Sequence, residues 1–197
     1  MARTKDEALH AQRKEKILEA AARVFRAKGF HLARTEDICS EAGLSAGTLF
    51  RHFADKRSMI MAIADIEFEG YRADLEQLAT PEGIRWLAQI KPAELKQLLQ
   101  PKGFQLGTDS WLELARDEEG RKRLLAFDKK LRQTFSAALR RGQADGWVRR
   151  SLDCDGATAL VLALFSGLLF DSELGFPVDA KATARAMVDL FGGFILP

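Results

Sequence analysis

An all-α fold is predicted by three features of the chain. Apolar residues recur at three- and four-residue spacing along most of its length. Nowhere does the period-two alternation of a half-buried strand persist. Proline, glycine and short polar capping residues punctuate the pattern at intervals suited to about ten helices. Two domains are expected: an N-terminal arm with a three-helix module over residues 1–54, and a helical-bundle body over 55–197.

The elements can be justified in order. Residues 1–12 are polar and read as a frayed arm. The first helix runs over 12–28, with Ile17, Ala21, Val24 and Phe25 on one face and Gly29 after its end. Two short helices follow, over 36–42 and 46–52. Thr35 and Ser45 are their expected caps, and Gly43 turns the chain between them. Asp55 caps a longer helix that carries Ile60, Ile63, Ala64, Phe68, Tyr71 and Leu75 inward. Thr80-Pro81 and Lys91-Pro92 mark further helix starts, because proline is tolerated at the first helical position. Pro101, Gly103 and Gly107 break the pattern between 91 and 108. Helices over 111–116 and 118–144 come next, the second with Leu124, Phe127, Leu131, Phe135 and Ala138 on one stripe. The last two are expected over 153–174 and 179–196.

The stretch 35–59 carries the functional signal. Ile38 and Ala42 form one inward pair, Leu49 and Phe53 another. Ala46, Gly47, Thr48 and Arg51 are then left facing outward. A short helix that begins with small residues can enter a major groove and bring its side chains to base edges. The stretch is therefore read as a helix-turn-helix. Thr48 and Arg51 are the candidates for base contact, with Arg51 alternatively holding a phosphate or a carboxylate of its own chain. Ala46 and Gly47 matter by smallness, and Ala46 can touch a thymine methyl group. Thr35, His52 and Lys56 are expected at phosphates; a cation sits poorly at a helix N-terminus, which argues against a purely structural Lys56. Arg3, Lys5, Arg13 and Lys14 either track the DNA backbone or belong to a solubilising arm.

These residues also carry a resemblance. The run Lys-Ile-Leu-Glu-Ala-Ala-Ala-Arg-Val-Phe-Arg-Ala-Lys-Gly-Phe, the helix-turn-helix, and Gly-Thr-Leu-Phe-Arg-His-Phe-Ala-Asp-Lys closely resemble the DNA-binding domain of TetR-type transcriptional regulators. The match covers 17–61, and a weaker one extends over Arg141-Gly-Gln-Ala-Asp-Gly-Trp-Val and 157–170. The family usually has a tyrosine at the place of Phe50, whose hydroxyl bonds a DNA phosphate; its loss should cost about 1 kcal/mol per subunit. Ala33 and Arg34 stand where the family has small hydroxyl residues, and Arg34 can supply a phosphate contact instead.

The resemblance implies a homodimeric regulator, usually a repressor, that binds double-stranded operator DNA of twofold symmetry. It also implies a small-molecule effector held among the body helices. Phe68, Tyr71, Trp86, Phe104, Trp111, Phe127, Phe135 and Phe165 are the aromatic candidates for that site, suited to a mostly apolar or aromatic ligand, with plain core packing as the alternative. The stretch 156–170 is uncharged and apolar all round, so one face is expected on its own subunit and the other on a second copy. Leu160, Val161, Leu164 and Leu168 there, with Met187, Leu190, Phe191 and Phe194, are the expected dimer interface.

Composition agrees and narrows the field. Residues 1–60 carry 12 Lys/Arg against 8 Asp/Glu, while the remainder carries 18 against 20. A mildly basic module on a mildly acidic body suits nucleic acid at one end. The basic run 121–141 reads as a solvated face. Cys39 and Cys154 lack metal-ligand spacing and read as reduced thiols. His10, His31 and His52 have no triad or metal partner nearby in sequence, and no glycine-rich phosphate loop is present. No enzyme, cofactor or metal is expected. The 15-residue uncharged run is short for a membrane span and the N-terminus is charged, so a cytoplasmic protein is expected. Two readings from other classes are a DNA-bound adaptor controlled by a protein partner and, further off, a helical-bundle enzyme.

Overall fold

The computed structural model describes residues 2–100 and 105–197, with side chains described from residue 7 onward. Among the described residues every regular element is helical. They are α1 (Ala2–Lys28), α2 (Thr35–Ala42), α3 (Ala46–His52), α4 (Lys56–Leu78), α5 (Pro81–Leu87), α6 (Pro92–Leu98), α7 (Thr108–Arg116), α8 (Glu118–Asp145), α9 (Cys154–Glu173) and α10 (Ala180–Leu190). A π turn over Phe191–Ile195 continues the last helix.

The helix starts follow local chemistry. Ser45 accepts from the Thr48 amide, Thr80 from the Gly83 amide, and Asp179 from the Lys181 and Ala182 amides. Asp153 does the same for α9 through the Asp155 and Gly156 amides. Each satisfies donors that a first turn leaves without an intrahelical partner. At α4, the Asp55 carboxylate accepts from the Ser58 amide at 2.7 Å, and the Ser58 hydroxyl returns a bond to the Asp55 carbonyl at 2.7 Å.

Three boundaries differ from the sequence expectation. The stretch 1–12 is no arm: α1 is helical from Ala2, because Ala, Arg, Lys, Glu, Leu and Gln dominate it without glycine or proline. Thr35 is not the cap of α2. Arg34 holds the cap position, and the Asp37 carboxylate bonds back to its amide at 3.0 Å. The final helix ends at Leu190 rather than 196. Gly192 and Gly193 weaken it, and Arg149 braces the wider turn by donating to the Ile195 and Gly193 carbonyls.

The chain forms two compact units, Met1–Glu69 with Lys102–Leu124, and Gly70–Pro101 with Leu125–Pro197. The first is built on Ile17, Ala21, Phe25, Ile38, Leu49, Phe53, Met59, Ile63, Leu106 and Leu114. The second is built on Ile84, Leu87, Leu95, Phe135, Leu139, Val161, Met187 and Phe191. The motif module of 1–54 thus lies wholly inside the first unit, which also takes the start of α4, α7 and the start of α8. Helix α9 is long and apolar enough by composition to cross a membrane. Asp155 and Asp171 bracket its uncharged part, and Ala157, Thr158 and Val161 are buried within the second unit.

Phe135 is fully enclosed in the second core. Phe135→Ala is expected to lower unfolding free energy by about 3–5 kcal/mol, read from urea denaturation followed by circular dichroism.

Candidate nucleic-acid interface

Gly43 ends α2 in the left-handed region, at φ 61°, which a side chain would make costly. The Leu44 amide then bonds back to the Cys39 carbonyl at 3.0 Å, so the turn into α3 is closed by backbone alone. Leu49 and Phe53 are buried in the first core, and this fixes which face of α3 looks out.

That face carries Ala46, Gly47, Phe50 and Arg51, all exposed, with Thr48 half-buried beside them. A Cβ built on Gly47 meets nothing within 4 Å, so the protein's own packing does not require glycine there. Side chains along this face are linked. Ser45 Oγ and Thr48 Oγ1 share a hydrogen bond of 3.0 Å, and Arg51 Nη2 donates to Thr48 Oγ1 at 3.3 Å. The guanidinium is thereby restrained on the outer surface of the helix, where a fork of donors suits a guanine edge.

The flanking residues divide. Arg34 presents an exposed side chain at the start of α2, and half-buried Thr35 donates to Glu36 Oε2 at 3.4 Å. Asp37 braces this end, bonded to the Arg34 amide and paired with Lys28 at 2.7 Å. The Lys28 hydrogen bond, then the Arg34 amide, hold its carboxyl below the usual range. Lys56 does not stand as a free cation at the start of α4. Its ammonium donates to the Phe30 and Ala33 carbonyls, both at 2.7 Å, and sits 4.8 Å from the centre of the Phe30 ring. The structural role that helix placement argued against is the one its geometry provides: it gathers the 29–33 turn onto α4.

His52 turns toward α1. Its ring stacks against His10 with centroids 4.2 Å apart, and its Nδ1 is buried without a hydrogen-bond partner. Burial first, then the neighbouring His10, Arg51, Arg13 and Lys14, push its pKa down.

A second set of contacts was not anticipated from sequence. Residues 105–124 fasten to the module through polar groups at regular spacing. Asp109 Oδ2 accepts from the Phe30 amide at 2.8 Å, Glu113 meets His31 at 2.9 Å, and Asp117 grips Arg57 through two bonds of 2.7 and 2.8 Å. Arg123 in turn holds Asp65, and Gln105 accepts from Arg26. Acids at 109, 113 and 117 repeat every four residues, which is the signal that reveals one charged helical face. Glu67 was also missed: it is buried, and its carboxylate accepts from the Leu106 amide at 3.0 Å.

The aromatic candidates separate between units. Phe68 and Trp111 meet in the first, with centroids 5.5 Å apart. In the second, Tyr71 faces Phe127 at 6.5 Å, Phe165 packs on Phe191 at 6.4 Å, and Trp86 lies half-buried against the core. Phe135 is sealed inside that core and belongs to its packing. Phe104 lies outside the described residues. Of the interface candidates, Val161, Met187 and Phe191 are buried in the second unit's own core. Leu164, Leu168 and Leu190 are half-buried, while Leu160 and Phe194 are exposed.

A helix-turn-helix with its second helix outward, in a unit distinct from a second helical core, defines a DNA-binding transcriptional regulator. Known proteins agree. Residues 17–63 match the model for bacterial regulatory proteins of the tetR family, and residues 99–191 match the C-terminal model of BetI-type transcriptional repressors. The HTH-type transcriptional regulator UidR of Escherichia coli K12 is 24% identical over 182 residues, covering 91% of each chain. The regulator YvdT of Bacillus subtilis is 43% identical over 51 residues, 26% of each chain. Among solved structures, a transcriptional regulator from Saccharomonospora viridis in complex with choline superposes with a TM-score of 0.74 at 23% identity. It covers 95% of this chain and 99% of its own. The chain belongs to the TetR family of transcriptional regulators.

Asp117 offers a pH test of the 105–124 contacts. Its hydrogen bonds from Arg57 and then from the Gly120 amide lower its pKa from 3.8 to about 2. A carboxylate lowered on folding stabilises the fold above its ordinary pKa, and that contribution disappears as pH falls through the folded value. The stability difference between wild type and Asp117→Asn is therefore expected to be full above pH 4 and to close between pH 4 and 2, followed by urea titration across that range. Lys56→Ala is expected to cost about 2 kcal/mol by the same measurement, because it orphans carbonyls that now bond a charged donor.

Proposed function

We propose that the protein is a homodimeric repressor that binds a palindromic operator with α3 of each subunit and is released by a small, mostly apolar or aromatic effector. The observation that carries this reading is the hydrogen-bonded Ser45–Thr48–Arg51 chain on the exposed face of α3. In it Arg51 reads a base edge and Thr48 steadies it. Ala46 and Gly47 permit close approach, and Arg34, Thr35 and Phe50 face the DNA backbone. Lys56 acts indirectly, by holding the 29–33 turn in place. In operator-bound form the two α3 helices lie about 34–36 Å apart, or a multiple of it.

Dimerisation is assigned to α9 and the end of the chain. Ala159, Leu160, Ala163, Gly167 and Phe170 are all exposed and fall within one narrow arc of α9. Leu160 alone is 59% exposed. Small residues at this spacing let a second helix approach closely, and Phe194, Leu164, Leu168 and Leu190 extend the apolar surface. The functional division at residue 54 follows the motif, with α4 continuing from it into the body. Effector recognition is assigned to Tyr71, Trp86, Phe127 and Phe165 in the second unit. Solved relatives hold choline and stearoyl-CoA. An effector that binds better to one spacing of the two α3 helices shifts the population between DNA-bound and free dimer.

Selection of duplexes from a random pool tests the reading. Wild type is expected to enrich a palindrome, and Arg51→Ala to lose preference at one symmetric position at a cost of about 1–3 kcal/mol per site. Sequence-indifferent binding would sink it. On the selected duplex, Phe50→Tyr is expected to tighten binding by about 1 kcal/mol per subunit through a regained phosphate bond. Ala163→Arg is expected to give monomers in light scattering with α3 still folded.

A further inference from the structure

The turn between α1 and α2 is gripped through the backbone of a single residue. Phe30 donates its amide to Asp109 Oδ2 at 2.8 Å, and its carbonyl accepts from the Lys56 ammonium at 2.7 Å. An acid from α7 and a base from α4 thus hold the two polar groups of the same residue, each through a charge-assisted bond. Lys56 also holds the Ala33 carbonyl at 2.7 Å, and Glu113, one turn along α7 from Asp109, meets the His31 ring at 2.9 Å. The turn is shaped for this grip. Gly29 has φ 77°, and a Cβ there would lie 3.0 Å from Asp109 Oδ2. Glycine therefore serves both the reversal of the chain and the approach of the carboxylate. The Phe30 ring is fixed as well, with its centre 5.4 Å from that of Phe25 and 4.8 Å from Lys56 Nζ.

All of these groups lie within the first unit. Beyond the turn the chain reaches Arg34, which holds the cap position of α2, and α2 leads through Gly43 into α3. Two roles for Asp109 can be told apart. Asp109 stands in the first turn of α7, where a negative charge is favourable whatever it touches. That role needs charge alone and no amide from the 29–33 turn. Gripping the turn needs an acceptor oxygen at one place and no charge. Asp109 is exposed, so water can take the Phe30 amide when the carboxylate is removed. Its removal then leaves no buried donor orphaned and the fold stands; what is lost is the preset conformation of the turn.

We propose that Asp109 is a positioning residue for DNA reading, presetting with Lys56 the turn from which α2 and α3 are aimed. This rests on the DNA-binding reading above. It adds a segment from far beyond residue 54 to the unit that reads the operator, although that segment touches no DNA. Without Asp109 the turn has to be fixed as the complex forms. Fixing the backbone of one residue corresponds to about a tenfold change in an equilibrium constant. The loss falls on binding that needs α3 in register and spares binding that needs only positive charge near phosphates.

The test uses the full-length protein, the palindromic duplex that wild type enriches, and a scrambled duplex of the same length. Asp109→Ala and Asp109→Ser both remove the carboxylate, and serine suits a helix start, which secures a folded truncation. Asp109→Asn keeps an acceptor oxygen at the same reach and removes the charge. Both truncations are expected to bind the enriched duplex about tenfold more weakly than wild type. The scrambled duplex is expected to bind as to wild type with the same salt dependence, because no phosphate contact is altered. Asp109→Asn is expected within about twofold of wild type on both duplexes. Hydrogen exchange reads the free protein: the Phe30 amide exchanges faster in the truncations than in Asp109→Asn, with the Leu49 amide protected as in wild type. Truncations that bind the enriched duplex like wild type, or that weaken on both duplexes equally, overturn the proposal. So does an Asp109→Asn variant as impaired as Asp109→Ala, which assigns the residue to helix-start charge. Each of these leaves the regulator reading intact. Failure of wild type to enrich any sequence overturns both.

Discussion

A seven-residue helix cannot hold itself in water, and everything at the DNA-facing surface depends on how α3 is held. Its hold is the burial of Leu49 and Phe53 in the core that Ile17, Ala21 and Phe25 of α1 share with Ile38 of α2. Each such side chain contributes about 1.5–3 kcal/mol when fully buried, against about 1 kcal/mol for a cap such as Ser45. Burial also sets direction. With Leu49 and Phe53 inward, the helical period turns Gly47 and Arg51 outward, while Ala46 at the helix start and Phe50 on the flank are exposed beside them. The hydrogen bonds from Ser45 through Thr48 to Arg51 refine a position that packing has already imposed.

Around this core, charged groups set register more than stability. Lys56 is the strongest case, since its ammonium bonds carbonyls of the 29–33 turn and lies over the Phe30 ring. The turn precedes α2, so fixing it fixes where the helix-turn-helix begins. Asp37 completes the arrangement by joining Lys28 at the end of α1 to the Arg34 amide. Arg34 thus holds the cap position without a side-chain oxygen: the Asp37 carboxylate secures the Arg34 amide, and the Asp37 amide donates to the Arg34 carbonyl.

What was legible in the sequence was whatever depends on near neighbours in the chain. The pairs Ile38/Ala42 and Leu49/Phe53, the caps at Ser45, Asp55 and Thr80, and the turn at Gly43 all follow from spacings of four residues or fewer. The TetR-type resemblance added the family on the same residues. The roles set by distant partners stayed hidden. The partners of Lys56 lie 23 to 26 residues away, so its helix position alone did not reveal them. His52 faces a ring on a stretch that looked like an arm, and only the extension of α1 to Ala2 brings His10 beside it. Aromatic residues told least: Phe135 and Phe165 lie in the same kind of pattern, yet one is sealed in the core and the other half-buried, packed on Phe191.

The contacts made by residues 105–124 carry a consequence of magnitude. Exposed ion pairs such as Arg57–Asp117 and His31–Glu113 add little stability each, because water and salt screen them. They are spaced along one face and tie the same segment to the ends of α1 and α4, so a shift of that segment breaks several together. The segment is also anchored by Leu106 and Leu114, buried in the first core, so apolar burial holds it while the polar contacts set its register.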